Sequence, residues 1–220
     1  MLSSWQSPDG TEELAIGLGP SGASRLLVLP AWFDESNKLR HFTIEIMRKL
    51  AEAGIASVLP DLPGCNESAA SLSAQDLEGW REAAKQAASQ LQCSHMLTIR
   101  AGANIAPDLP GFSYAPLAGK SALRALLRAR TISAKEAGRE EKAADLLELG
   151  KAEGIELAGY QLGARMISQL ADANLPSDSS LLEIKQAEIG GGGLWLRMEP
   201  DHDAAQAEAL AKRIAAELAA

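Results

Sequence analysis

His95-Met-Leu-Thr-Ile-Arg100-Ala-Gly102-Ala-Asn104 is the stretch on which the fold turns. Met96 to Ile99 reads as a short strand, and Arg100-Ala-Gly102 ends it at once in a turn of small residues. Working outward, Leu26-Leu-Val-Leu29 is a continuous apolar run, the pattern of a strand buried on both faces, and Ile55-Ala-Ser-Val-Leu59 reads as the next buried strand. Between them Phe42, Ile46, Leu50 and Ala53 recur at helical spacing and stop at Gly54, a C-cap glycine. A second amphipathic helix runs from Gln75 to Leu91, with Leu77, Trp80, Ala84, Ala87 and Leu91 inward. Strand, helix, strand, helix and strand with short connections predict an α/β fold, a mostly parallel central sheet with helices on both faces. Ligands bind such sheets at the carboxyl ends of the strands, and Arg100 stands at one of them.

The flanking elements follow the same logic. Leu14–Leu18 is a strand, followed by the turn Gly19-Pro-Ser-Gly22. Lys120–Gly150 carries no strand signal and predicts two helices broken near Gly138. This is a helical cap insertion over residues 120–150, within one domain covering 1–220. Ile155–Ala158, Leu181–Lys185 and Leu194–Met198 read as strands, and Leu162–Ala173 as a helix. Ile189–Gly193 reads as a flexible turn. Asp203–Ala220 is a terminal helix with Ala207, Leu210, Ile214 and Leu218 on one face.

Composition narrows the function. The 220 residues carry a net charge of −8, which argues against binding to nucleic acid or to an anionic membrane surface. No apolar run is long enough to span a bilayer, and the N-terminus lacks a signal peptide. Cys65 and Cys93 are far apart with no Cys/His ligand spacing, so both are expected as reduced thiols in a cytoplasmic protein. No metal and no cofactor is expected. Gly190–Gly193 lacks the Lys-Ser/Thr ending of a phosphate loop, and Ala115 breaks the resemblance of Gly119-Lys120-Ser121 to one. The expected partner is a small acidic ligand or a protein.

Three local signatures resemble the α/β-hydrolase superfamily. Leu29-Pro-Ala-Trp-Phe-Asp-Glu-Ser-Asn37-Lys-Leu-Arg40 falls where that family has its oxyanion loop. Pro60-Asp-Leu-Pro-Gly64-Cys-Asn-Glu-Ser68 is similar to its loop after the fourth strand. The stretch around Arg100 resembles its Gly-x-Ser-x-Gly nucleophile turn, with Thr98 at the first glycine, Arg100 at the serine and Gly102 at the last glycine. Within the superfamily the chain most resembles the exosortase A system-associated hydrolases of type 2, bacterial proteins encoded near exopolysaccharide and protein-sorting genes. Phe33-Asp-Glu-Ser-Asn37-Lys38-Leu-Arg40, Ile99-Arg-Ala-Gly102-Ala103, Tyr114-Ala-Pro116-Leu-Ala-Gly119-Lys120 and Glu156-Leu-Ala-Gly159-Tyr160-Gln-Leu162 carry that resemblance. One departure is plain: Pro107 and Pro110 leave no room for the long helix that normally follows the nucleophile turn.

A guanidinium stays protonated and cannot attack a carbonyl, so the resemblance implies the scaffold of a serine hydrolase without its nucleophile. His202, after Leu194–Met198 and before the terminal helix, stands at the family's histidine position. It is either a retained base or an exposed residue beside Asp201 and Asp203. Glu188 is the nearest carboxylate to the expected position of the catalytic acid. Arg100 either receives a carboxylate or phosphate on its bidentate fork, or pairs with Asp34, Glu35 or Asp61. Asp34, Glu35, Asn37 and Arg40 either line the site or, for Asp34 to Ser36, cap the first helix. Asp61 is expected to organise its loop by accepting from backbone N–H groups. Cys65, Ser68, Ser113, His41 and His95 show no nucleophile–base arrangement. Two functions remain open: a non-catalytic or atypical binding protein, or an ester or thioester hydrolase that uses His202 with a displaced nucleophile or an activated water.

Overall fold

The computed structural model describes residues 1–21, 25–177 and 180–219. Gly22 of the turn expected after Leu18 lies outside the described residues. Nine strands are described: β1 (Leu2–Gln6), β2 (Glu12–Leu18), β3 (Arg25–Leu29), β4 (Ala56–Pro60), β5 (Cys93–Ile99), β6 (Gly111–Tyr114), β7 (Ile155–Leu157), β8 (Tyr160–Leu162) and β9 (Leu182–Ile184). The helices are α1 (Asp34–Glu52), α2 (Leu77–Gln90), α3 (Gly119–Glu136), α4 (Ala143–Glu153), α5 (Ala164–Asp172), α6 (Gln186–Ile189) and α7 (Ala204–Leu218).

Seven strands form the central sheet in the order β1-β2-β4-β3-β5-β6-β9. The pairs β4–β3, β3–β5, β5–β6 and β6–β9 are parallel, and β1 and β2 form the antiparallel edge. Leu26 to Leu29 and Ala56 to Pro60 are buried throughout, as expected of strands covered on both faces. One face packs Leu27, Leu29, Val58 and Met96 against α2 and the α3–α5 group; the other packs Leu26, Val28, Leu97 and Tyr114 against α1 and α7. Helices α3 and α4 flank Gly138, whose φ of +73° serves the break that the sequence predicts.

Several expectations are corrected. Leu2–Gln6 pairs with β2, although only Trp5 of this strand is buried; such an edge leaves almost no apolar signature. β7 stays out of the central sheet and pairs antiparallel with β8 across the positive-φ pair Ala158 and Gly159. Leu194–Met198 is not a strand. Leu194–Leu196 forms a 3₁₀ turn with Leu194 buried, while Leu196 and Met198 are 79% and 95% exposed. The glycine run before it is held: Gln186 donates to the carbonyls of Gly190 and Gly191, and Gln206 to that of Gly192. Asp76 and Asp203 are N-caps that open α2 and α7, one or two residues from the predicted starts.

Glu13 of β2 is fully buried, with one carboxyl oxygen accepting from Ser68 at 2.8 Å and the other without a partner. Burial pushes its pKa up, and the Asp9 and Asp61 charges add to the shift. A raised folded-state pKa means the native protein binds the proton more tightly than the unfolded chain. The associated stability is present below the ordinary value of 4.5 and is lost as pH rises through the folded value. Glu13→Gln is therefore expected to melt higher than the parent at pH 8, with the gap closing at pH 4. An unchanged gap across that range in a thermal-unfolding series would contradict the assignment.

Candidate functional site

The site begins where β3 and β5, neighbours in the sheet, reach their C-terminal ends. β5 gives way directly to a short 3₁₀ turn, Arg100–Ile105, and Arg100 takes a left-handed φ of +54°. After β3, Phe33 has φ +56° immediately before α1. Non-glycine residues held in such conformations cost roughly 1–3 kcal/mol each and persist where their surroundings fix them. Both therefore mark a constrained site rather than a permissive loop.

The sharp turn is followed by no long helix, and other groups brace it. A Cβ on Gly102 would lie 2.6 Å from the Leu29 carbonyl oxygen and 2.7 Å from that of Pro30, so only glycine lets the turn close on β3. Buried Asn104 donates to the carbonyls of Ala101 and Leu117 at 2.7 and 2.8 Å and accepts from the Gly119 N–H at 2.9 Å. It ties the turn to the start of α3. Thr98 donates to Ser113 at 2.8 Å, joining β5 to β6 beneath the turn. Asn104 was not singled out in the sequence; an amide between small residues gives no motif.

Arg100 is spread flat at this junction. Its Nε and Nη2 donate to the two oxygens of Glu35, each at 2.9 Å, and its Nη1 donates to the Ala115 carbonyl at 2.9 Å. The indole of Trp195 lies 4.0 Å from the guanidinium carbon. The Arg100 side chain is 11% exposed and that of Glu35 22%. Sequence reading left the partner open among Asp34, Glu35 and Asp61; it is Glu35, in the first turn of α1 where the helix dipole also favours a carboxylate. Three of the five guanidinium N–H bonds are engaged, which leaves two.

The other candidates divide. Asp34 pairs with Lys38 at 2.7 Å, and Phe33 holds the N-cap position without a side-chain cap, so Asp34 and Glu35 meet the helix dipole from the first turn and not as hydrogen-bonding caps. Asp34, Glu35, Asn37, Lys38 and Arg100 all line one cleft of about 700 Å³. Arg40 and Asp61 lie outside its wall and stand 3.8 Å apart. Asp61 accepts from the Asn66 side chain at 2.7 Å, not from the backbone N–H groups expected of it. Glu188 is exposed and accepts from the Lys185 N–H at the start of α6. His202 is exposed, its ring stacked on His41 with centroids 4.3 Å apart. None of the three histidines lines the cleft.

Sequence reading missed the aromatic walls. Trp32, Phe33, Tyr160 and Trp195 line the cleft, four of only nine Phe, Trp and Tyr residues in the chain. Their scarcity was the available signal. Opposite them α3 presents Ala122, Ala125 and Ala129. Ser121 lies in the same wall and Ser36 in an adjoining smaller chamber, with no imidazole lining either. Cys65 borders the smaller chamber, and burial, with Asp61 and Glu13 adding, pushes its thiol up to about 12, so it is no thiolate nucleophile at neutral pH. Among the described residues no group of three or more His, Cys, Asp or Glu side chains is arranged to hold a metal ion. No described helix is long and apolar enough to cross a membrane.

With this geometry in view, comparison with solved structures is informative. The α/β hydrolase GrgF from Penicillium sp. sh18 matches with a TM-score of 0.51 and 14% identity, over 80% of this chain and 73% of that one. A putative hydrolase from Agrobacterium vitis S4 matches at 17% identity over 61% of this chain and 59% of its own, with a TM-score of 0.45. An esterase, EaEST, from Exiguobacterium antarcticum matches at 16% identity over 69% and 60%, also with a TM-score of 0.45. The matched region thus spans about 60% of the length of these two proteins. No protein-family model and no curated protein sequence matches the chain. The fold is the α/β-hydrolase fold: a mostly parallel central sheet flanked by helices on both faces. Sharing it fixes no reaction.

Two outcomes test the site's architecture. Gly102→Ala is expected to lower stability by about 2–3 kcal/mol, because the new methyl meets backbone oxygens that cannot step aside; a change under about 0.5 kcal/mol in urea unfolding would contradict the close approach. In a double-mutant cycle with Arg100→Met and Glu35→Leu, each single change leaves a charge behind and destabilises. The pair should show coupling of about 1.5–3 kcal/mol. Strict additivity would mean the two side chains do not depend on each other.

Proposed function

We propose that this chain is a non-catalytic α/β-hydrolase-fold protein that holds an acidic ligand at Arg100. In line with its sequence resemblance, we assign it to the service of exosortase and exopolysaccharide systems in a bacterial cytoplasm. The observation that carries the reading is the fork at the strand end. A residue that cannot act as a nucleophile stands where the sequence resemblance puts the nucleophile, and its charge is matched by Glu35. A serine hydrolase needs a base within hydrogen-bond reach of its nucleophile. His202, the residue the hydrolase alternative requires, stacks on His41 outside the cleft wall.

Anion binding follows from the same fork. A ligand carboxylate would take the two unengaged N–H bonds of Arg100, or displace Glu35 from its bidentate seat. A displaced Glu35 lies one helical turn from Lys38, where it would share that cation with Asp34. Asn37 and Lys38 supply further donors at the same end of the cleft. Helices α3 and α4, on this reading, are the cap, with the Ala122–Ala129 face of α3 turned to the apolar part of the ligand.

A fluorophosphonate probe and p-nitrophenyl butyrate separate the alternatives. The expected result is no serine labelling and no turnover above buffer, in the parent and in His202→Ala alike. A panel of carboxylates is expected to raise the melting temperature of the parent but not of Arg100→Met. Labelling of any serine, or turnover abolished by His202→Ala, would overturn the non-catalytic reading.

A further inference from the structure

Among the described residues, four charged side chains line the cleft of about 700 Å³: Asp34, Glu35, Lys38 and Arg100. They form two pairs, and their charges cancel. Arg100 holds Glu35 through two hydrogen bonds of 2.9 Å, and Lys38 holds Asp34 at 2.7 Å. Asp34, Glu35 and Lys38 fall within the first two turns of α1, with Lys38 one turn beyond both acids. The second pair therefore flanks the first.

The pairs differ in what it takes to open them. The Asp34 side chain is 60% exposed and that of Lys38 only 14%. On leaving Lys38 the Asp34 carboxylate passes straight into water, and a contact to so exposed a partner is held weakly. Glu35 is mostly buried on a bidentate partner, and Arg100 more so. Drawing those two apart strands a charge away from water. Lys38 is thus the cation of the cleft that changes partner at least cost. Arg100 keeps one unengaged N–H on each terminal nitrogen while Glu35 stays in place.

Counting charge then sets the ligand. With Asp34 turned to solvent, Lys38, Arg100 and Glu35 leave one net positive charge on the cleft wall. One negative charge restores neutrality; a second would be left unmatched or would have to displace Glu35. We propose that Lys38 is the exchange point of the site: a singly charged acidic ligand replaces Asp34 on Lys38 while Arg100 and Glu35 remain joined. Asp34 is then the built-in anion that the ligand displaces. This inference rests on the reading of the cleft as an anion receptor at Arg100, and it names which carboxylate yields and how much charge the ligand brings.

Calorimetric titration at about pH 8 and low salt tests it with benzoate, benzenesulfonate, phenyl phosphate and benzamide. The probes share a ring suited to the aromatic wall, where Phe33 precedes Asp34 and Trp195 covers Arg100, and they differ in head-group charge. Phenyl phosphate is a dianion at this pH. Benzoate and benzenesulfonate should bind the parent, benzamide at least about tenfold more weakly, and phenyl phosphate no tighter than benzoate. Asp34→Asn should tighten both monoanions about two- to fivefold. Lys38→Met should weaken them at least about fivefold, and in that background Asp34→Asn should have no effect. Equal affinity of the parent and Asp34→Asn would overturn the exchange. So would a gain that persists without Lys38, which is only the field of a lost charge. Phenyl phosphate bound at least about tenfold tighter than benzoate would overturn the single charge. Binding lost in Arg100→Met, with no gain in Asp34→Asn, would leave the anion receptor standing and overturn the exchange. Binding kept in Arg100→Met and lost in Lys38→Met would do the reverse. Absence of monoanion binding to both the parent and Asp34→Asn would overturn both. Should either methionine variant fail to fold, Lys38→Gln or Arg100→Gln takes its place under the same criteria.

Discussion

The fork between Arg100 and Glu35 joins the two loops that define this molecule's site. One loop leaves β3 and becomes α1; the other leaves β5 and becomes the short turn that carries Arg100. The strands are adjacent, so one ion pair with two hydrogen bonds spans the gap between their ends. Mostly removed from water, the pair is screened little by salt and holds both loops in conformations that strain Phe33 and Arg100. Trp195 closes over the guanidinium, and Ala115 receives its remaining engaged nitrogen. A catalytic serine could make none of these contacts.

The turn after β5 is held although no long helix follows it. In an α/β sheet the helix after a strand normally fixes the turn by packing. Here Asn104 and the close seat of Gly102 on the β3 carbonyls take over that work within six residues of 3₁₀ turn. The chain then returns to the sheet as β6, and the space left above is framed by α3 and the β7–β8 hairpin. The short 3₁₀ turn after β5 and the aromatic-walled cleft thus lie against each other at one edge of the sheet.

Much of the fold was legible because burial on both faces writes itself as mostly apolar runs. Leu26–Leu29, Ile55–Leu59 and Met96–Ile99 could hardly be read otherwise. Strands without that burden were read poorly. Leu2–Gln6 has one buried side chain, and β7 and β8 are three residues each. Leu194–Met198 is apolar like a strand, yet its tertiary role is to bury Leu194 and lay Trp195 on Arg100, and the long-range contact overrode the local pattern. The site was legible at Arg100, since a permanent cation at a strand end is chemically conspicuous. Its partner was one of three carboxylates that only the coordinates could separate. Tyr160 and Trp195 reach the cleft from distant parts of the chain, and spacing says nothing about such meetings.

The most direct measurement of the account is the exchange of the Arg100 Nε proton, followed by nitrogen-resolved proton NMR. A guanidinium clamped by a carboxylate and roofed by an indole should give an arginine Nε–H that exchanges far more slowly than those of exposed arginines. That resonance should vanish in Arg100→Lys and lose its protection in Glu35→Gln. An Arg100 Nε–H exchanging at the rate of a surface arginine, indifferent to Glu35→Gln, would contradict the central claim.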